Sequence, residues 1–269
     1  MFFSNISNSC VTLPEGKMDY IRFGHGGNVL VMLPGVGDGL KTVRGMALPF
    51  AVLYRALAKD FTVYVFSRRR NLPPHMSTRQ MAHELNEALD VLGLSGTAVV
   101  GVSQGGMIAQ WLAIDHPDKV RSLVLAVTLA RPNSTVRNVV RQWTKMAKLG
   151  DYKGILLDTA MRSYSGEYLH KALISYRLLG NLGKPKSFRR FLIQAESCVT
   201  HNAYAYLPRI TCPTLVIGGT EDKIVTGDAS GEIAAEIPGS RLKMYRGLGH
   251  GLYDESPDFL RQVIDHCRI

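Results

Sequence analysis

Cysteine is scarce in this chain. Cys10, Cys198, Cys212 and Cys267 are scattered over 269 residues, with no Cys-x-x-Cys pair and no histidine pair nearby. That spacing argues against a zinc site and against a disulfide framework, and it fits a reducing, cytoplasmic setting. Cys198 and Cys212 read as small buried hydrophobes. Long apolar runs are missing as well: none approaches the roughly 18 residues that would span a bilayer, so no transmembrane segment is expected. The first ten residues, Met1–Cys10, carry no basic n-region and no sustained apolar stretch, so no signal peptide is expected either. There are no internal repeats and no low-complexity stretches.

Acidic charge is also lacking, but only in one place. The net charge is +10, from 32 Lys and Arg against 22 Asp and Glu. Between Arg131 and Arg190 lie 13 basic and 3 acidic residues, which leaves 19 of each sign elsewhere. The excess is therefore a property of one sub-structure and not of the whole surface. Nothing in the basic segment matches a nucleic-acid reader motif, so no nucleic-acid partner is expected.

What is present is a strand-and-helix alternation. Residues 7–24 read as a β-hairpin turning at Pro14-Glu15-Gly16. Asn28–Leu33, Thr97–Val102 and Thr214–Ile217 are continuous apolar runs, the mark of strands covered on both faces of a parallel sheet. Strands are also expected at Phe61–Phe66, Val120–Leu129 and Arg241–Tyr245. Helices are expected near Pro49–Lys59, after the cap Ser77-Thr78, after Ser103, at Ala229–Glu236 and at Pro257–Cys267. Arg68-Arg69-Arg70 falls just past a strand and reads as a solvated loop or as part of a site at the sheet edge.

From Ala130 to about Tyr206 the buried-strand runs stop and helical spacing takes over. In Asn133–Leu149, Val136, Val139, Val140, Trp143, Met146 and Ala147 form an apolar face, while Arg137, Arg141, Lys145 and Lys148 form a basic stripe. Further helical patterns run near Glu167–Leu179 and Pro185–Cys198. The reading divides the chain into a core, residues 1–130, a helical cap, residues 131–206, and the rest of the core, residues 207–269. The basic stripe reads either as a solvated face or as a recognition surface for an anionic or carrier-bound substrate. A third use, docking of the helix on an anionic membrane, competes with burial of its apolar face on a pocket.

The chemistry centres on Gly101-Val102-Ser103-Gln104-Gly105-Gly106, where a buried strand turns abruptly into a helix. A serine held on such a turn needs neighbours without Cβ, so that strand and helix close around it. A serine nucleophile needs a base, and the base needs an orienting acid. Asp222 follows the strand Thr214–Ile217, and His250 sits in the loop Gly247-Leu248-Gly249-His250-Gly251 after the strand Arg241–Tyr245. Parallel strands put these loops at the same edge as Ser103. Glu221 competes with Asp222 for the orienting role; place in the loop and shorter reach favour Asp222. The strand ending Val127-Thr128-Leu129-Ala130 offers no rival carboxylate. His25 reads as a turn residue and His116 as a helix end. The backbone N–H groups of Gln104 and Val36 are the expected oxyanion donors.

These stretches resemble the α/β-hydrolase superfamily, in the branch of small capped serine esterases, lactonases and perhydrolase-type enzymes. The resemblance rests on Leu-Pro-Gly-Val-Gly (33–37), Gly-Val-Ser-Gln-Gly-Gly (101–106), the segment 116–125, Gly-Gly-Thr-Glu-Asp-Lys-Ile-Val (218–225) and Gly-Leu-Gly-His-Gly (247–251), in the order Ser, Asp, His. Where that family usually enters the oxyanion loop with His-Gly, this chain has Pro34-Gly35. Proline has no N–H, so the second donor falls later, at Val36. The resemblance implies an α/β fold, a mostly parallel sheet flanked by helices, with a helical cap after the sixth strand. It implies a serine hydrolase acting on a small ester, lactone or thioester through an acyl-enzyme, with no cofactor or metal. A C–C bond hydrolase of the same fold and a slow-turnover, receptor-like ligand-binding protein are the alternatives. Substrate identity and oligomeric state are not encoded in any of these patterns.

Overall fold

A computed structural model describes residues 5–268. Among them one sheet holds eight strands: β1 (Ser7–Leu13), β2 (Gly16–Phe23), β3 (Asn28–Leu33), β4 (Phe61–Arg69), β5 (Thr97–Val102), β6 (Val120–Ala126), β7 (Thr214–Gly219) and β8 (Arg241–Tyr245). Their spatial order is β1-β2-β4-β3-β5-β6-β7-β8. The β1–β2 and β2–β4 pairs are antiparallel, and every later pair is parallel.

The apolar runs explain why the middle strands sit where they do. Successive side chains point to opposite faces of a strand, so a strand covered on both sides must be apolar at every position. In β3, Val31 and Leu33 join the core on one face, and Leu30 and Met32 join the core on the other. In β5, Val99 goes one way and Ala98 and Val100 the other.

Ten α-helices surround the sheet among the described residues: α1 (Ala47–Leu53), α2 (Thr78–Val91), α3 (Gln104–Asp115), α4 (Ser134–Lys148), α5 (Tyr152–Ser163), α6 (Gly166–Leu179), α7 (Arg189–Thr200), α8 (Asp228–Glu236), α9 (Leu252–Glu255) and α10 (Phe259–Cys267). Helix α2 shows how local chemistry sets boundaries. The Gln80 N–H donates to Ser77 Oγ while the Ser77 N–H donates to Gln80 Oε1, a reciprocal cap. Gly93, at φ 66°, ends it.

Helices α4 to α7 lie in the stretch between β6 and β7 and meet the sheet through their own core, which includes Val136, Val139, Trp143, Ile155 and Phe191 together with Met107, Leu129 and Ile224. Helix α5 has no counterpart in the sequence reading. Its buried positions mix Tyr152, Ile155 and Ala160 with Asp158 and Ser163, and Gly154 sits inside it, so its apolar period is weak. Its start is legible only in Asp151, whose carboxylate accepts from the Gly154 N–H at 2.8 Å.

Two strand ends differ from the sequence reading. Strand β4 runs on through Arg69, so Arg68 and Arg69 are buried strand residues and not a solvated loop. Each finds an acceptor: Arg69 pairs with Glu84 at 3.0 Å, and Arg68 donates to Pro34 O at 2.6 Å. Only Arg70 reaches the surface, where it pairs with Asp19. Strand β6 stops at Ala126, three residues early, because Val127 turns to φ 45° and leaves the extended path. No helix among the described residues is long and apolar enough to cross a membrane.

Candidate active site

The loops that follow β3, β5, β7 and β8 meet at one edge of the sheet, and they carry the residues singled out in the sequence. Ser103 stands between β5 and α3 at φ 55°, ψ −120°, a conformation that costs a non-glycine residue of order 1–3 kcal/mol. The surroundings fix it. The Ser103 N–H donates to Ala126 O at 2.9 Å, and the Ser103 carbonyl accepts from Thr128 Oγ1 at 2.7 Å and from the Gly106 N–H at 2.9 Å. A Cβ on Gly101 would stand 2.5 Å from Gly105 O, and one on Gly106 would stand 2.7 Å from the Thr128 side chain. The glycines are needed because the strand and the helix touch here.

His250 and Asp222 are brought together. His250 Nδ1 lies 2.8 Å from Asp222 Oδ2, with both side chains buried. The other oxygen of Asp222 accepts from the Ile224 and Val225 N–H groups at 2.8 and 2.9 Å. Burial pushes the Asp222 carboxyl up, but the His250 charge, the His250 hydrogen bond and the two backbone donors outweigh it and hold it below the usual carboxylate range. An ionised carboxylate only accepts, so His250 Nδ1 carries a proton in this bond, and in the neutral imidazole Nε2 is then the nitrogen with the free lone pair. Glu221, the rival acid, is exposed. The His250 loop is held against the end of α5 by the Gly251 N–H, which donates to Ser163 O at 2.8 Å.

Ser103 and His250 line the same cavity, of about 290 Å³, with Gly35, Val36, Trp143, Ile224 and Tyr253. Val36 opens a short 3-10 turn, Val36–Gly39, and Gln104 opens α3. The first N–H groups of any helical turn have no partner within it, so both residues present a backbone donor. Gly35 brings the loop close: a Cβ there would lie 3.3 Å from Ser103 Cβ.

Sequence reasoning missed the residues that hold this loop. Asp38, wholly buried, accepts at one oxygen from the Arg68 N–H (3.1 Å), Arg190 Nη2 (2.9 Å) and Gln194 Nε2 (3.1 Å). The side chain of Gln104 adds a second tie, donating to Gln194 O at 2.7 Å and to Ser197 Oγ at 2.9 Å. Burial depresses the Arg68 guanidinium, and the attraction of Asp38 offsets that only in part. The one hint in sequence was an acid in a glycine-rich loop. Its partner Arg190 is 152 residues away and was indistinguishable from the other basic residues of its segment.

The basic stripe of α4 lies on the other side of that helix from the cavity. Trp143 is buried and lines the cavity, whereas Arg137, Arg141, Lys145 and Lys148 are exposed. The apolar face of α4 is therefore used inside the protein. His201 is buried between Thr78 and Gln110, away from the cavity.

A model of the alpha/beta hydrolase fold matches residues 28–153, from β3 to the start of α5. Among solved structures, the enol-lactonase from Burkholderia xenovorans LB400 matches with a TM-score of 0.81 at 20% identity, over 96% of this chain and 99% of that one. This chain has the α/β-hydrolase fold. Within that fold, two relatives in sequence differ in their named chemistry. A protein provisionally assigned as carbamate hydrolase RutD, from Stutzerimonas stutzeri (strain A1501), is 26% identical over 78% of this chain and 83% of its own length. A 2-hydroxy-6-oxononadienedioate/2-hydroxy-6-oxononatrienedioate hydrolase from a Pseudomonas species is 24% identical over 93% of this chain and 91% of its own. The α/β-hydrolase fold accounts for the sheet order and for the gathering of four loops at one edge.

Proposed function

We propose that this protein is a serine hydrolase of a small carboxylic ester, lactone or thioester, with Ser103, His250 and Asp222 as its catalytic triad. The observation that carries the reading is the 2.8 Å bond from His250 Nδ1 to a buried Asp222, with His250 and a strained Ser103 on the wall of one cavity. His250 Nε2 takes the Ser103 Oγ proton as the oxygen attacks the substrate carbonyl carbon. The carbonyl π electrons move to its oxygen, which accepts from the N–H groups of Val36 and Gln104. Each such donor is worth about 3 kcal/mol to the transition state. The imidazolium then protonates the leaving group as its bond to carbon breaks. Water reverses the sequence, giving its proton to His250 and its oxygen to the acid released. Asp222 stays ionised throughout and stabilises the imidazolium. Helices α4 to α7 act as the cap, closing the cavity with Trp143.

The test is turnover of p-nitrophenyl esters from acetate to decanoate, and of one CoA thioester, by wild type and Ser103→Ala. Loss of at least about 10⁴-fold in kcat is expected for the variant, and retained activity overturns the assignment. C–C bond hydrolysis is the second reading, favoured by the named activity of the Pseudomonas relative, which aligns over nearly the whole chain. Inert esters, together with Ser103-dependent cleavage of a vinylogous 1,5-diketone, would select it.

A further inference from the structure

The cavity that holds Ser103 is small, about 290 Å³, at the lower edge of what a ligand pocket usually offers. Beside it lies a second hollow of about 540 Å³, bounded by the end of α1, by one face of α6 and by the segment that follows His250. Tyr253 lines both. The remaining partition is built from neighbours in the chain. Phe50 faces the first cavity and Tyr54, one helical turn on, faces the second, with ring centroids 5.6 Å apart. Ser163 faces the first and Tyr164 the second. Two separate elements thus each send one residue to either side of a thin wall, and Tyr253 reaches both.

The chemistry of the second hollow is consistent. Its walls carry five tyrosine rings, those of Tyr54, Tyr164, Tyr168, Tyr176 and Tyr253, with Leu53, Pro257 and Leu260. Tyr164 Oη donates to Asp254 Oδ2 at 2.7 Å, which occupies one oxygen of the acid in the floor. Burial pushes the Asp254 carboxyl up, toward its neutral form, and pushes the Tyr54, Tyr164 and Tyr253 phenols up as well, so they stay protonated. Lys171, the cation at the rim, is exposed and paired with Glu167 at 2.7 Å. Ring faces with neutral phenols suit an uncharged aromatic group, which gains both area burial and offset stacking.

We propose that this second hollow is a subsite for an uncharged aryl group on the substrate, joined to the Ser103 cavity past Tyr253. The substrate is then bipartite, with a small carbonyl-bearing end at Ser103 and an aromatic end among the tyrosines. This rests on the reading of Ser103 as the nucleophile, and the test separates the two. Helix α6 forms the outer wall, and every residue from Gly166 to Leu179 keeps some surface in solvent, so a large side chain can be placed there without disturbing a core. Ala172, half-buried on that wall, is the position to fill.

The experiment compares ethyl acetate, benzyl acetate, ethyl 3-phenylpropanoate and acetylcholine as substrates of wild type and Ala172→Trp. In parallel, 2-naphthol is titrated into Ser103→Ala and into Ser103→Ala carrying Ala172→Trp, by fluorescence. At least one aryl ester is expected to exceed ethyl acetate in kcat/KM by about tenfold or more in wild type. Ala172→Trp should bring that ratio within about twofold of unity, chiefly through KM, with an unchanged far-UV CD spectrum and melting temperature as the control for folding. Binding of 2-naphthol should weaken at least tenfold in the double variant. An unchanged aryl preference in Ala172→Trp, a preference for acetylcholine, or equal 2-naphthol binding by both variants overturns the subsite. If no ester is hydrolysed, the ester-hydrolase reading of Ser103 fails by itself, and the 2-naphthol titration still decides the subsite.

Discussion

The helices between β6 and β7 fall into two unlike parts. Helices α4 and α7 are rooted. Trp143 Nε1 donates to the buried Asp158 at 2.7 Å, Phe191 is fully buried against the loop after β3, and Arg190 and Gln194 meet at Asp38. Helix α6 is laid on the outside, packed chiefly on α5, and it leaves Leu178 and Leu179 77% and 56% exposed. The rooted part places charges where no water compensates them, so its geometry is fixed by discrete bonds that fail together. The outer part is held by shallow apolar contacts and tolerates change. A binding site that must keep its chemistry while varying its substrate is well served by that division, with the proposed oxyanion loop tied to the first part and the tyrosine hollow walled by the second.

Asp38 is where the comparison breaks most visibly. Asp38→Ala takes the shared acceptor from the buried Arg68 N–H, the buried Gln194 amide and the partly buried Arg190 guanidinium, and a loss of about 3–5 kcal/mol of stability is expected. Where the variant folds, kcat should fall by roughly 10²–10³, the scale of one misplaced oxyanion donor. Urea denaturation and ester turnover measure both. A variant within 1 kcal/mol of wild type would mean that α7 is not rooted through this acid.

The return of the chain to the core is pH-sensitive by the same logic. His201, just after α7, is pushed down to about 3 by burial between Thr78 and Gln110. The unfolded chain takes up a proton below its ordinary value near 6.5, which the folded chain refuses until about pH 3. Stability is therefore full above that ordinary value and falls with acid by up to about 1.4 kcal/mol per pH unit. Thermal melts of wild type and His201→Gln from pH 7.5 to 4.5 should show a shallower acid slope in the variant. Parallel slopes would assign the acid sensitivity elsewhere.

The smallest effect is expected on α6. Leu178→Gln exchanges an exposed apolar side chain for a polar one and should change stability by no more than about 0.5 kcal/mol. A loss above 2 kcal/mol would show that α6 is anchored as firmly as α4, and the contrast would disappear.

How much of this was legible beforehand depends on how far apart the interacting residues are in the chain. Strands β3, β5 and β7 were readable because burial on both faces demands an unbroken apolar run, and β8 was found to the residue. The edge positions of Ser103, Asp222 and His250 followed from the common direction of parallel strands, and Asp222 was separable from Glu221 by its place in the turn. Helix α5 was not readable, since its buried face includes Asp158 and Ser163, which are apolar in neither composition nor period. The arginines at 68 and 69 looked like a surface run because nothing local reveals that Pro34 O and Glu84 are waiting for them.

By itself the sequence determined the periodicities, the glycine-lined turn at Ser103 and the order of the three candidate catalytic groups, all consequences of neighbours along the chain. Only the tertiary structure decided which charges are buried and matched, that the basic stripe of α4 faces away from the Ser103 cavity, and that five tyrosines from four segments share one hollow. Those outcomes depend on desolvation and on the packing of elements up to 200 residues apart, and no local pattern carries that information.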